Sequence, residues 1–220
     1  MLISRNPSVI LHVLIGANRG LGLEICRQLA NGDLYSNIYA LCRKSNDELS
    51  SLAQSSKHNV VVVENVEVTK DESTDVVQTA FSTTAASPVP IHLLVHNAGA
   101  YGPPEEGMSV DDMYKSQTLD NVTMERMRFA YELNTLAPLR LTKALLPNLE
   151  ASQQGGEKDP SKLIIISSAM GSIAENGSGG HYGYRTAKAG ANMVGKSLSV
   201  DLKPKNVAVG MSKKKRPSSS

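Results

Sequence analysis

Tyr184 and Lys188 stand four residues apart in the segment YRTAK, a spacing that places both side chains on one face of a helix. A phenol with its ordinary pKa near 10 is a poor acid–base catalyst at neutral pH. A neighbouring ammonium favours the phenolate and brings the group toward the working range. The chemistry on offer is proton transfer at an oxygen. Such a pair also occurs on plain solvated helix faces, so its context matters. Just upstream, LIIISSAMG reads as a strand that ends in Ser167 and Ser168. Hydroxyls there lie at the carboxyl edge of a sheet, where α/β proteins bind their ligands.

A second group of residues suits a phosphate. GANRGLG places Gly16, Gly20 and Gly22 between an apolar run and a helical segment. Glycines accept positive φ and let backbone amides approach an anion without an intervening Cβ, and the helix N-terminus adds its own donors. The spacing is GxxxGxG rather than the usual dinucleotide fingerprint, and no GK[ST] follows, which removes the nucleoside-triphosphate loop. The next strand ends ALCRKSN, with Arg43 where an NAD site usually carries an acid, Lys44 beside it and Arg19 inside the glycine turn. Cations there favour a 2′-phosphate, hence NADP(H) over NAD(H). The plainer alternative is that Arg43 and Lys44 belong to a solvated loop.

The elements that must position these groups follow from hydrophobic patterning. Short β-branched runs at Val9 to Ile15, Asn37 to Leu41, Val60 to Val68, Ile91 to Asn97 and Leu163 to Ser167 are continuous rather than alternating. That pattern suits strands covered on both faces. Helical spacing fills the intervals. Leu21, Ile25 and Leu29 share one face after the first strand. A helix beginning near Met124 carries Met127, Tyr131, Leu139 and Leu146 past a bend at Pro138, and another runs from about Tyr184 to Leu202. This βαβα order predicts a doubly wound α/β fold with a parallel sheet, one domain over residues 1–211. Tyr101 to Met113 and Ser152 to Ser161 read as loops. Residues 212–220, with their Lys and Ser repeats, read as a disordered basic tail.

Composition narrows the function classes. The net charge of +2 asks for no nucleic-acid partner, and no apolar run reaches membrane-spanning length. The two cysteines, Cys26 and Cys42, form no CxxC pair and no metal spacing, so two reduced thiols in a cytoplasmic protein are expected and no metal is.

Taken in order, GANRGLG, NAGA (Asn97 to Ala100), the Asn134 of YELNTLAP, the Ser168 of ISSAMG and the Tyr184/Lys188 of YRTAK resemble the short-chain dehydrogenases/reductases. The phrases NRGLGLE, SGGHYGYRTAKAGAN and SLSVDL are most similar to the C-factor and sniffer carbonyl reductase branch. The resemblance implies a Rossmann fold and NADPH-dependent reduction of a small-molecule carbonyl. Tyr184 would donate the proton, and Lys188 would lower its pKa and hold the nicotinamide ribose. Ser168 rather than Ser167 would bind the carbonyl oxygen, and Asn134 would hold a relay water and bend its helix. Gly16, Asn18, Arg19, Gly20, Leu21 and Gly22 would line the cofactor, with Asn97 and Gly99 supporting it and Glu67 standing where an aspartate usually meets the adenine. A homodimer through the helices that follow Asn134 and Tyr184 is also implied.

Against the family pattern, the text after Met211 departs. The resemblance leads one to expect a chain that lacks the family's last strand and C-terminal helix, together with a Pro-Gly segment over the nicotinamide. Three readings follow: an active carbonyl reductase, a catalytically impaired variant that binds cofactor or a partner without turnover, and, less well matched, a sugar-nucleotide epimerase using the same Tyr–Lys pair.

Overall fold

The computed structural model describes residues 10–32, 36–82, 88–103, 107–152 and 159–213. Along the chain come β1 (Ile10–Ile15), α1 (Gly20–Asn31), β2 (Ser36–Leu41), α2 (Asp47–Ser55), β3 (Asn59–Val63), α3 (Ser73–Phe81) and β4 (Leu93–His96). Then follow α4 (Val110–Lys115), α5 (Met124–Tyr131), α6 (Ala137–Ala151), β5 (Ser161–Ser167), α7 (Tyr182–Asp201) and β6 (Val207–Lys213). The strands form one parallel sheet in the order β3-β2-β1-β4-β5-β6. The doubly wound α/β expectation therefore holds.

The sheet is covered on both faces, which explains the continuous apolar runs. Alternate side chains of β1 separate: Leu11, Val13 and Ile15 pack with Val77 and Phe81 of α3, Leu141 and Leu145 of α6, and Leu198 of α7. Leu14 points the other way, to Leu23 and Cys26 of α1 and Leu49 and Leu52 of α2. Each such side chain, fully buried, contributes about 1.5–3 kcal/mol. Chain order reverses between β1 and β4, and a crevice opens there at the carboxyl ends of the strands.

Several sequence boundaries shift. The third strand stops at Val63 rather than Val68, because Asn65 takes φ +64° and the backbone turns back, Asn65 N–H donating to Arg43 O and Val66 N–H to Cys42 O. The loop after β4 contains α4, whose N-terminus is capped by Ser109 Oγ accepting from Asp112 N at 3.1 Å. The sixth strand runs past Met211. Ser212 and Lys213 pair with Ile166 and Ser167, because the edge of β5 still offers backbone partners there. Residues 214–220 of the expected tail, and parts of both expected loops (104–106 and 153–158), lie outside the described residues.

Candidate active site

Gly16 and Gly20 take φ of +80° and +54°. A Cβ on Gly16 would come within 2.9 Å of the Ala98 backbone, and one on Gly22 would overlap the Gly16 carbonyl oxygen and the Asn97 amide. The turn is therefore closed to any side chain at these positions and packs directly against the end of β4. Asn97 secures the junction: its Nδ2 donates to Gly16 O at 2.8 Å, while the Asn97 and Ala98 amides both donate to Ile15 O. Arg19 precedes α1, whose first turn carries no acidic residue and no side-chain cap. Those amides and the helix dipole are left for an anion.

The rim beyond the turn is polar. Asn18 Nδ2 donates to Lys44 O at 3.0 Å, and Asn46 Nδ2 reaches Asn18 O at 2.7 Å, tying the glycine turn to the loop after β2. The backbone reversal at Asn65 carries Val66, Glu67 and Val68 over the end of β2 and into the cleft wall. Glu67 meets Arg43 at 3.5 Å and also accepts from Thr69 Oγ1 at 2.8 Å. Arg43 is thus half-exposed but ion-paired, a partnership invisible in the linear sequence.

At the other end of the cleft the site is made of side chains. Gly179, Gly180 and His181 all take left-handed φ, and this turn delivers the chain into α7 with Tyr184 and Lys188 one helical turn apart. Lys188 is buried, and its Nζ donates to Ile166 O at 2.9 Å. Ser168 Oγ accepts from Met170 N at 3.2 Å and lies by the Tyr184 phenol, whose pKa it pulls down. Ser167 is buried at the cleft wall and donates to Asn192 Oδ1 at 2.6 Å.

Asn134 sits in a π turn over Glu132–Leu136 that separates α5 from α6, where a single bent helix was expected. The widened turn sends the Ala137 amide to Glu132 O. The Asn134 side chain compensates by donating to Ala130 O at 2.8 Å, and it reaches Ala100 O at 2.9 Å. Its Oδ1 is buried with no hydrogen-bond partner among the described residues. That oxygen and Lys188 Nζ both face Gly99, lying 2.8 and 3.2 Å from where a Cβ would stand.

Burial governs the titration of the pair. It lowers Lys188 to about 8. Tyr184 is pushed up to about 12, first by burial and then by the neighbouring Tyr101 phenol, with the Ser168 hydrogen bond pulling the other way. The depression expected from Lys188 is not found. The ammonium lies 5.6 Å from the Tyr184 ring centroid and is directed to Ile166 O instead of the phenol oxygen.

All four candidate catalytic residues and the glycine turn thus converge, with the cleft itself enclosing about 980 Å³ and lined by Gly16, Gly20, Asn97, Ser168, Tyr184 and Lys188 among others. Asn134 lies just behind the wall, under Gly99. Two contributions were not read from the sequence. Tyr101 stacks on Tyr184 with centroids 4.1 Å apart, and Arg140 donates to Asp71, to Val68 O at 2.9 Å and to Glu132, clamping the Glu67 loop to the π turn. The position of Tyr101 directly after NAGA was the available signal for the first.

A dinucleotide fits these residues, since Gly20 leaves open space at the start of a helix whose first amides have no side-chain cap. The comparisons settle the family. The short chain dehydrogenase family model matches residues 11–213. The chain belongs to the short-chain dehydrogenase/reductase family. It is 30% identical over 197 residues to 1-hydroxy-2-glutathionyl-2-methyl-3-butene dehydrogenase of Rhodococcus sp. (strain AD45), covering 90% of this chain and 73% of that one. To C-signal of Myxococcus xanthus it is 36% identical over 115 residues, 52% of this chain and 58% of that one. Among solved structures, NADPH-bound carbonyl reductase from chicken fatty liver superposes with a TM-score of 0.73 at 29% identity, over 93% of this chain and 78% of that one. A Caenorhabditis elegans protein assigned as the carbonyl reductase Sniffer gives 0.74 at 28%, over 94% and 84%. The C-factor and sniffer likeness is borne out. No helix among the described residues is long and apolar enough to cross a membrane.

Proposed function

We propose that this short-chain dehydrogenase/reductase reduces the carbonyl group of a small molecule to an alcohol with NADPH. The observation that carries the reading is a single cleft with an uncapped, glycine-started helix at one end and the Ser168–Tyr184–Lys188 constellation at the other. When bound, the nicotinamide supplies the hydride. Gly16, Asn18, Arg19, Gly20, Leu21 and Gly22 hold the phosphates and the adenosine end, and Asn97 and Gly99 keep the floor in place. Ser168 orients the carbonyl oxygen. Tyr184 is fully protonated at neutral pH, since its pKa stands at about 12, and gives its proton to that oxygen. Lys188 is mostly charged at neutral pH, with its pKa at about 8, and its ammonium holds the nicotinamide ribose beside Tyr184. Asn134 Oδ1, facing Lys188 across Gly99, holds the route by which the proton is replaced.

NADPH is preferred to NADH because Arg43 stands at the end of β2, where a 2′-phosphate would take over its contact with Glu67. The chicken carbonyl reductase bound to NADPH supports this choice. The test is oxidation of NADPH and of NADH by the purified chain with a reactive aldehyde, beside a thermal-shift titration of each cofactor. Turnover favouring NADPH is the expected result. A thermal shift without turnover would favour the reading of a cofactor-binding chain that performs no reaction.

A further inference from the structure

Beyond Lys188, the substrate end of the cleft has no charged side chain among its described lining residues; Arg19, Arg43 and Glu67 all lie toward the glycine turn. What lines it instead is Tyr101, Gly102, Tyr114, Ala169 and Met170 around the Tyr184 phenol. Three rings are ordered there. Tyr101 lies nearly parallel to Tyr184, at 27° and 4.1 Å between centroids. Tyr114 stands edge-on to Tyr101 at 76° and 6.0 Å, and edge-on to His181 at 89° and 5.4 Å. The Tyr101 hydroxyl is held by Met170 Sδ at 3.5 Å, so the ring is pinned at both ends. The main chain joins the same cluster, because His181 N–H, at the left-handed entry to α7, donates to Gln117 O at 2.8 Å in the segment after α4.

This arrangement makes a corner of two nearly perpendicular aromatic walls beside the reacting phenol. A 4.1 Å stack leaves no room for a guest between Tyr101 and Tyr184, since each face-to-face contact alone needs about 3.5–4.0 Å. A substrate therefore lies in the corner, with its carbonyl at the Tyr184 and Ser168 hydroxyls. A flat conjugated guest meets one wall face-on and the other edge-on, and both are favoured aromatic geometries. A puckered saturated guest of the same carbon count gains the burial but not the ring–ring attraction.

We infer that Tyr101 is a specificity-determining residue that, with Tyr114, selects uncharged planar aromatic or conjugated carbonyl compounds over saturated ones. This rests on the carbonyl-reductase reading above. It names the substrate class of that site.

The test compares kcat/KM for benzaldehyde and cyclohexanecarbaldehyde with NADPH in the full chain and in Tyr101→Phe and Tyr101→Leu. The ratio between the two aldehydes cancels any general loss of activity. Tyr101→Leu is expected to lower the benzaldehyde preference about tenfold, while Tyr101→Phe keeps it within about twofold. A ratio unchanged in Tyr101→Leu overturns the inference. Should that variant not fold, Tyr114→Leu, at a ring already 45% exposed, is expected to lower the ratio in the same direction, and an unchanged ratio there counts equally against it. If the unaltered chain reduces neither aldehyde, the reductase reading fails on its own, and ligand-detected NMR with benzamide and cyclohexanecarboxamide decides the selection. Preferential benzamide binding that Tyr101→Leu abolishes supports the inference; equal binding of the two amides overturns it.

Discussion

The two ends of the cleft are built from different material. The proposed phosphate end is largely backbone: a turn whose Gly16 and Gly22 admit no Cβ, a helix start with no cap, and one asparagine amide bonded to a carbonyl. The reacting end is side chains, nearly all of them buried or stacked, with titrations moved by burial: Tyr184 up to about 12 and Lys188 down to about 8. Backbone geometry is dictated locally, so a substitution there acts through sterics and fold. The reacting end depends on charges held in a poorly solvated place, so a substitution there acts through chemistry with the fold kept.

That contrast can be broken by single changes. Among changes that leave Tyr184 in place, removing the ammonium should have the largest effect on rate. Lys188→Met is expected to lower turnover about a hundredfold or more, the usual contribution of a positioned acid–base group, with NADPH still able to raise the thermal midpoint. In the unaltered chain, reduction should slow as pH rises through about 8, because the ammonium loses its charge there. A pH–rate profile flat across that value would mean that Lys188 does not act through its charge. At the opposite end, Gly22→Ala is expected to cost about 1–3 kcal/mol of stability, because the new methyl must displace the Gly16 carbonyl. Denaturant unfolding measures this. An unchanged midpoint would show that the turn is looser than the packing implies.

Stability should also respond to acid through the sheet beneath the site. Burial lowers His96, bonded to Thr142 at 3.2 Å, to about 3, and lowers His12 to about 4. Both groups bind protons more readily in the unfolded chain, so stability is complete above their ordinary 6.5 and falls as pH drops toward those values. Each group costs at most about 1.4 kcal/mol per pH unit in that window. Thermal midpoints measured down the window should fall less steeply in His96→Asn. The smallest effect concerns the rim. Arg43→Ala should weaken NADPH about tenfold and leave NADH nearly unchanged, as loss of one charged contact predicts. Glu67→Gln should tighten NADPH by a few-fold by releasing Arg43. Titration of both cofactors distinguishes these outcomes from a general loosening of the loop.

The same contrast explains what could be read without a structure. GANRGLG declares its turn because glycine is required by local φ and by close approach, and both requirements are visible in a short string. The parallel sheet was legible for a similar reason, since continuous β-branched runs mark strands covered on both faces. Third-strand length was misjudged because Val66 and Val68 are apolar for the cleft wall and core, not for the sheet, once Asn65 reverses the chain. The π turn at Asn134 leaves no mark in a helical hydrophobic pattern, which continues through it. Pairings such as Arg43 with Glu67 and Tyr101 with Tyr184 join distant parts of the chain, so spacing alone could not reveal them. The direction of the Tyr184 shift was also out of reach. Proximity to Lys188 in sequence suggested attraction, while burial and the ammonium's bond to Ile166 decide the result.

The central claim is that binding and reaction reside at separable ends of one cleft. Tyr184→Phe tests it most directly, with NADPH affinity and aldehyde turnover measured on the same preparation. The account predicts an affinity within about twofold of the unaltered chain and turnover lower by about a thousandfold, because only the proton donor is removed. Undiminished turnover in Tyr184→Phe would contradict it.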